Sequence, residues 1–398
     1  MNYEEYFYDG SAPTYHGTLG EIRPGANRWL HLAHELVLSY GLVRHMPLAV
    51  TPHRRRILHL SDVNELAWEI EQALLGAGYE YFFTSFNASQ ENPLSIEMRV
   101  DFPGQGGLKE FRRLLEQVQP GLVLARCFPM HGASMQEYAL TAQLAGVRLV
   151  YWLTEQGPEF SKHEVWAMEA PYLVCATRQD FEHYRTRRGR VFYAPFSCLP
   201  AFHYSGVPDP VYACDALAMG QPFADAARYP AFESRRESIR GLVLPLLEFC
   251  KVHVWGGWGE QVDGWRMILP SAVYDVAYRG ILPYQDFSKA LSSCKIVLGI
   301  HSNAPWGGYG GRLAKFLGCG AFVLWWYSQG MEKEFENRKH LVWVNSAEDA
   351  MREARYYLAH EEERHAIAAE GQRHAYAHLD YRTTLVPVLE QIEDNDRP

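Results

Sequence analysis

The sequence lacks long apolar segments and a secretory leader pattern. No run of about 18 apolar residues occurs in the 398-residue sequence, so we expect no membrane-spanning helix. The first ten residues, MNYEEYFYDG, are acidic and aromatic, which is not the pattern of a signal peptide. These absences favour a cytoplasmic protein.

Paired cysteines and an excess of positive charge are also missing. The seven cysteines are scattered without CxxC spacing, which favours reduced core residues over disulfides or a zinc site. The formal net charge of −9 argues against unspecific polyanion binding over the whole surface. Two basic clusters, at 53–56 and 185–190, remain open to two interpretations. They are either solvated loop charge or a binding surface for an anionic acceptor such as nucleic acid.

The pattern that is present is an alternation of strands and helices. Hydrophobic residues make up 47% of the sequence, enough for two cores in a chain of this length. Strands alternating with helices predict a doubly wound parallel sheet, whose ligands bind outside the carboxyl ends of the strands. The predicted strands are 56–60, 79–85, 121–126, 147–153, 172–176 and 190–194, with helices at 64–75, 108–118 and 134–145.

Polar side chains follow three of these predicted strands. They are His59, Ser61 and Asp62 around the end of the first, Cys127, Met130, His131 and Gly132 after 121–126, and Thr154, Glu155 and Gln156 after 147–153. We interpret His131 and Glu155 as the candidate catalytic residues, with a surface or helix-capping role as the alternative for each. Asp62 is expected to cap the following helix.

A glycine-rich segment lies between two further predicted strands. The strand at 295–300 is followed by a loop, 301–311, that holds four glycines, and a helix is predicted to open at Arg312. Gly318 and Gly320 end that helix before a strand at 321–326. Such a loop exposes backbone N–H groups to a phosphate or diphosphate, although it is also compatible with an ordinary tight connection.

Several motifs in this half of the chain occur in one order. Gly256–Trp258 follows a strand, Gly280–Tyr284 reads GILPY, and Arg312 is followed by Cys319–Phe322. Helices are predicted at 347–358 and 361–378, the second of which contains Glu363-Arg364, Ile367-Ala368 and Gly371. Over roughly 215–389 this order resembles the CgeB-like glycosyltransferases, a family 1 type group with the GT-B fold.

The resemblance implies two Rossmann-like doubly wound domains that face a cleft, and the residues before them are expected to form an N-terminal helical extension. The implied boundaries are 1–55 for the extension, 56–200 for the acceptor domain, 201–375 for the nucleotide-sugar donor domain and 376–398 for a C-terminal helix and tail. The implied activity is transfer of a sugar from a nucleotide-sugar to an unidentified acceptor, with retention and without a metal or cofactor. The implied donor-binding residues are Gly256, Gly257, Tyr284, His301, Ser302, Asn303, Gly308, Gly310, Gly311, Arg312 and Lys315.

One departure from the family pattern affects the donor site. Lys315 stands where the family has a glutamate that is expected to hold the donor ribose, and Gly307 stands where related transferases have an acidic residue. Three interpretations stay open: Lys315 pairs with donor phosphate, the donor is unusual, or the chain is a noncatalytic nucleotide-binding module. The first predicts that Arg312→Ala or Lys315→Ala abolishes donor binding and leaves thermal unfolding nearly unchanged.

The first 55 residues do not fit that plan. Through Tyr8-Asp9-Gly10, Pro24–Arg28 and His34–Leu42 they resemble the start of histone deacetylase-type amidohydrolases. The histidine pair and zinc ligands of that family have no counterpart downstream, so deacetylase activity is not expected. Apolar residues at helical spacing predict a helix at 29–40 that packs on the N-terminal domain, or that shapes the acceptor site or a dimer contact.

Overall fold

A computed structural model describes most of the chain beyond the N-terminal extension. The described residues are 50–61, 64–85, 107–126, 133–154, 161–227, 232–256, 264–301 and 309–394. The extension and its predicted helix at 29–40 lie outside them. Within these ranges the chain builds two separate parallel sheets flanked by helices.

The N-terminal sheet has six parallel strands in the order β2-β1-β3-β4-β5-β6. Its strands are β1 (His53–Ser61), β2 (Glu80–Ser85), β3 (Pro120–Ala125), β4 (Arg148–Leu153), β5 (Tyr172–Cys175) and β6 (Val191–Tyr193). Its helices are α1 (Asn64–Gly76), α2 (Gly107–Val118), α3 (Met135–Leu144), α4 (Ser161–Glu169) and α5 (Arg178–Arg185). Because each strand pairs in parallel with its neighbour, their carboxyl ends share one edge.

The interior of this sheet explains why the apolar runs form strands. Every residue of β3 is buried, as are five of the six residues of β4, because helices cover both faces. Alternate residues of β4 divide between two cores: Leu149 and Tyr151 pack on one face, and Val150 and Trp152 on the other. The doubly wound arrangement that the sequence predicted is confirmed.

The C-terminal sheet has five parallel strands in the order β11-β10-β9-β7-β8. Its strands are β7 (Cys214–Met219), β8 (Val252–Trp255), β9 (Cys294–Gly299), β10 (Val323–Trp326) and β11 (Val342–Val344). Its helices are α6 (Glu233–Ser238), continued by a π-helical turn (Ile239–Val243) and α7 (Leu244–Leu246), then α8 (Gly264–Ile268), α9 (Ser271–Ala277), α10 (Phe287–Ser292), α11 (Arg312–Gly318), α12 (Ala347–Ala359) and α13 (Glu361–His378). Helix α11 begins at Arg312, as predicted.

The last helix, α14 (Tyr381–Asp394), returns to the N-terminal domain. Tyr381, Leu385 and Leu389 are fully buried in the core that also contains Ile70 and Trp152. The phenol of Tyr79 donates a 3.0 Å hydrogen bond to the Glu393 carboxylate of this helix. The C-terminal segment therefore ties the two domains together.

The two basic clusters of the sequence are engaged within the chain. The three arginines of the first cluster each pair with a carboxylate: Arg54 with Asp394, Arg55 with Glu390 and Arg56 with Glu80. In the second cluster, the guanidinium of Arg188 donates to the carbonyls of Ala167 and Ala170. Arg185 pairs with Glu182. These contacts favour a structural role for much of the basic charge.

Candidate donor site

The C-terminal sheet has a topological switch point between β7 and β9. Strand β8 pairs with β7 along one edge of β7, and the later strand β9 pairs with its other edge. The direction of winding therefore reverses between β7 and β9. Ligands of open parallel sheets bind in the crevice at the carboxyl ends of the two strands that flank such a point. Here those ends are Met219 and Gly299.

Two glycines allow the backbone to pack closely at this edge. Gly220 and Gly256 have φ angles of +134° and +125°, which L side chains rarely adopt. A Cβ atom on Gly256 would lie 2.4 Å from the carbonyl oxygen of Gly220. The Gly256 N–H donates to the Gly280 carbonyl over 2.8 Å. Both positions therefore require glycine, and Gly256 lies where the sequence placed it, at the end of β8.

Arg312 occupies the switch point itself. Its guanidinium donates to the carbonyl of Met219 and, over 3.3 Å, to the carbonyl of Ile300. Burial lowers the pKa of Arg312 to about 10, so the side chain stays charged at neutral pH. Within the described part of the chain no carboxylate pairs with it. A buried cation that is bonded only to backbone carbonyls leaves its charge available for an anion.

The small residues before Arg312 bring the chain against its neighbours. A Cβ atom on Gly310 would lie 3.2 Å from Nδ1 of His301, and one on Gly311 would lie 3.1 Å from the ring of Phe196. Gly311 precedes α11 without any side-chain capping bond. The structure thus brings Gly256, His301, Gly310, Gly311 and Arg312 to one edge. The predicted donor residues Gly257, Ser302, Asn303 and Gly308 lie outside the described residues.

Tyr284 and Lys315 lie together in a different environment, around Glu69 of α1. The Lys315 ammonium forms an ion pair with the Glu69 carboxylate. The phenol of Tyr284 donates to the same carboxylate oxygen. The imidazole Nε2 of His203 is 3.6 Å from that oxygen. The side chain of Glu69 has no solvent exposure, and burial raises its pKa while Lys315 opposes the rise.

This cluster gives Lys315 a partner within the chain. The pair joins α11 of the C-terminal domain to α1 of the N-terminal domain, 246 positions apart in sequence. Contact with donor phosphate by Lys315 or Tyr284 stays a prediction. Nothing in the sequence points to Glu69, because a glutamate in an amphipathic helix is normally a solvated charge. Only the packing of the two domains shows that Glu69 is buried.

The N-terminal sheet has its own switch point, between β1 and β3. Arg126, directly after β3, is buried there, and its N–H donates to the Leu60 carbonyl over 2.8 Å. His59 is fully buried, and its Nδ1 lies 2.6 Å from the Tyr81 phenol oxygen. The sequence pattern predicts Arg126 only as the last residue of a strand. The candidates Asp62, His131 and Glu155 lie outside the described residues, so their roles stay predictions.

We expect acid to destabilise the fold through His59. Burial, and secondarily the charge of Arg126, lower its pKa from 6.5 to about 3, so the folded chain holds a neutral imidazole. Between these pH values the unfolded chain binds a proton that the folded chain does not, and stability falls as the pH falls. The loss is about 1.4 kcal/mol per pH unit. Melting His59→Asn between pH 7 and pH 5 should show a shallower decline than wild type, and an equal slope would contradict this assignment.

The described residues include neither a metal-binding cluster nor a helix suited to crossing a membrane. Among the residues that the structure covers, no group of three His, Cys, Asp or Glu side chains is arranged to hold a metal ion. The six cysteines within those ranges are free. No helix in the same ranges is both long enough and apolar enough to cross a bilayer.

Comparison with known families bears on the C-terminal domain. Residues 235–390 match the family described as glycosyl transferase-like. This part of the chain is therefore similar to that family. The match includes Arg312 and the helices α11 to α13, which form and support the edge described above. The prediction of a glycosyltransferase is confirmed at this level, while the narrower CgeB-like resemblance rests on the sequence motifs alone.

Solved structures match nearly the whole chain. HepE from Anabaena, in complex with UDP and glucose, is 13% identical with a TM-score of 0.61, over 85% of this chain and 98% of its own. Sucrose-phosphate synthase from Thermosynechococcus elongatus is 11% identical with a TM-score of 0.60, over 85% and 97%. A glycosyltransferase from Rickettsia africae is 10% identical with a TM-score of 0.61, over 86% and 99%.

These similarities establish the fold. They confirm the predicted GT-B-like arrangement of two Rossmann-like domains. Sequence identity this low does not identify the substrates. No curated protein matches the sequence significantly. The resemblance of residues 1–55 to deacetylase-type proteins gains no support, because the family match covers only residues 235–390.

Proposed function

We propose that this protein transfers a sugar from a nucleoside diphosphate sugar to an acceptor hydroxyl. The observation that carries the proposal is the half-buried Arg312, whose guanidinium is bonded only to backbone carbonyls at the switch point of the C-terminal sheet. Here Gly220 has no room for a side chain, since a Cβ atom would lie 1.8 Å from the guanidinium. The edge is shaped around a positive charge.

That charge suits the leaving group of glycosyl transfer. As the bond between the anomeric carbon and the diphosphate oxygen breaks, negative charge develops on the diphosphate, and a fixed cation stabilises it most. The carbonyls of Met219 and Ile300 hold the Arg312 side chain in place before the reaction, so little reorganisation is needed. The acceptor oxygen forms the new bond to the anomeric carbon.

Two further features of the proposed mechanism concern the acceptor proton and the charge on the diphosphate. The acceptor hydroxyl proton passes to the departing phosphate oxygen, which is compatible with retention and needs no separate base. The cationic Arg312 takes the place of a metal ion in neutralising the diphosphate. On the acceptor side, the N-terminal switch point near Arg126 is the corresponding crevice, and His131 and Glu155 remain the proposed acceptor-side residues there.

The donor class is supported by the fold and by the nucleotide in a related structure. HepE, which shares the fold, was solved with UDP and glucose. The sequence motifs from Gly256 to Phe322 favour a nucleotide-sugar donor and a donor domain of the CgeB-like type. The protein would act on a nucleotide-sugar with no additional cofactor.

A noncatalytic nucleotide-binding module is the second candidate. It is favoured by one observation: the residue that replaces the family glutamate, Lys315, is paired with the buried Glu69. Helix α11 itself contains no carboxylate that could hold a ribose. A binding module would keep the Arg312 site and lack turnover.

The first test is a panel of nucleotides measured by thermal shift. UDP, GDP, ADP, CDP and dTDP, and then their common sugar conjugates, are each added to the wild-type chain. We expect one nucleotide to raise the melting temperature selectively, because a ligand that binds only the folded state stabilises it by mass action. Release of that nucleotide from its sugar conjugate would identify the enzyme, and binding without release would identify the module. No response to any nucleotide would contradict both.

A further inference from the structure

Glu334 lies between the two domains, and each of its carboxylate oxygens accepts a different phenol. Tyr309 of the C-terminal domain donates to Oε2 over 2.5 Å. Tyr193 of β6, in the N-terminal domain, donates to Oε1. Burial and the carboxylate raise the pKa of both phenols, so both remain protonated donors at neutral pH. One carboxyl side chain thus joins residues from both domains.

The surrounding contacts make this an extended junction. The guanidinium of Arg178 stacks 4.2 Å over the ring of Tyr193, and its Nε lies 4.0 Å from the Glu334 carboxylate. One position along α5, Gln179 donates to the carbonyl of Gln329 over 2.9 Å. Gly330 has a φ of +93°, and a Cβ atom there would lie 1.6 Å from the amide nitrogen of Gln179. Helix α5 therefore packs directly against the turn that leads to Glu334.

Tyr309 connects this junction to the candidate donor site. It is buried in the C-terminal core, where its ring packs edge-on against Phe335 at 5.0 Å. Only Gly310 and Gly311 separate it from Arg312. Because two glycines restrict the backbone poorly, the position of this segment depends on the residues that anchor it. The Tyr309 phenol is such an anchor, and Glu334 holds it.

We propose that Glu334 is a positioning residue that couples the arrangement of the two domains to the placement of Arg312. The link runs from Tyr193 in the N-terminal domain through the two carboxylate oxygens to Tyr309 and then to Arg312. Its consequence for nucleotide binding rests on the proposed function, whereas the mechanical coupling between the domains does not. Sequence motifs give no sign of it, since the three residues are spread over 141 positions.

Matched phenol deletions separate the two arms of the junction. Tyr309→Phe removes the arm toward Arg312, Tyr193→Phe removes the arm toward the N-terminal domain, and the double variant removes both. Tyr356→Phe is the control, because its phenol also donates to a glutamate, Glu363, at the surface of the C-terminal domain. Hydrogen exchange of the backbone amides at 309–313 is measured without ligand, and nucleotide affinity is measured separately.

We expect Tyr193→Phe to speed exchange at 309–313 several-fold, although the removed hydroxyl lies in the other domain. Tyr309→Phe should speed it about tenfold, as for loss of a charge-assisted hydrogen bond, and the double variant should show less than the product of the two effects. Nucleotide affinity should fall in the same order. If the amides at 309–313 exchange as slowly in Tyr193→Phe as in the control Tyr356→Phe, the proposed coupling is wrong. Altered exchange in a chain that binds no nucleotide would support the coupling and refute only the proposed function.

Discussion

Arg312→Ala is expected to weaken binding of the responding nucleoside diphosphate by about 100-fold or more. Removing one partner of a buried, hydrogen-bonded charge pair costs about 2–5 kcal/mol, most of it in the dissociation rate. Arg312 is half-buried and bonded to two backbone carbonyls, and no carboxylate among the described residues pairs with it, so the diphosphate would be its charged partner. Isothermal titration of wild type and variant measures the effect directly.

The structure changes one part of the sequence-based expectation for this variant. Unfolding should not stay unchanged, because Met219 and Ile300 would lose the donor to their carbonyls at a cost of about 1–3 kcal/mol. Arg188→Ala is the matched control, since its guanidinium also donates to backbone carbonyls but lies in the N-terminal domain. It should lower stability and leave nucleotide affinity unchanged. Equal losses of affinity in both variants would remove Arg312 from the donor site.

Lys315→Ala is expected to destabilise the fold strongly. It would leave the Glu69 carboxylate buried without its cation, and breaking a buried pair in this way costs about 3–5 kcal/mol. The sequence alone predicts nearly unchanged unfolding for this variant, because it assigns Lys315 to the donor phosphate. Urea and thermal unfolding, followed by near-ultraviolet circular dichroism, measure the loss.

A paired substitution tests the cause of that loss. Glu69→Gln combined with Lys315→Met removes both charges, and we expect it to recover most of the stability, since uncharged pairs of similar volume avoid the desolvation penalty. Lys339→Ala, which breaks the surface pair with Glu336, should leave the melting temperature unchanged. If Lys315→Ala is as stable as Lys339→Ala, the buried pair does not hold the domains together. Nucleotide affinity of the paired variant then reports any separate donor role of Lys315.

Much of the fold could be predicted because its signals are local. Hydrophobic periodicity placed a helix at 64–75, observed at Asn64–Gly76, and a strand at 295–300, observed at Cys294–Gly299. Helix α13 has the predicted bounds Glu361–His378. A parallel sheet follows from the order of such elements, since each strand must be crossed over by a helix before the next.

The candidate site was predictable only where it depends on backbone shape. Gly256, Gly310, Gly311 and Arg312 meet at one edge because glycines permit close approach, and that property belongs to each residue by itself. The partners of charged side chains have no such local signal. Glu69 and Lys315 are each unremarkable in their own helices, and their burial arises only when α1 and α11 pack together.

The sequence by itself thus determined the strands, the helices, the doubly wound order and the glycine-rich edge, since these follow from periodicity and from the conformational freedom of single residues. Tertiary structure alone decided which charges are buried and what they bind. It paired Lys315 with Glu69, placed Arg312 against the carbonyls of Met219 and Ile300, and set Glu334 between phenols of both domains. These contacts join positions far apart in the chain, and their energies depend on desolvation, which exists only once the two domains have packed.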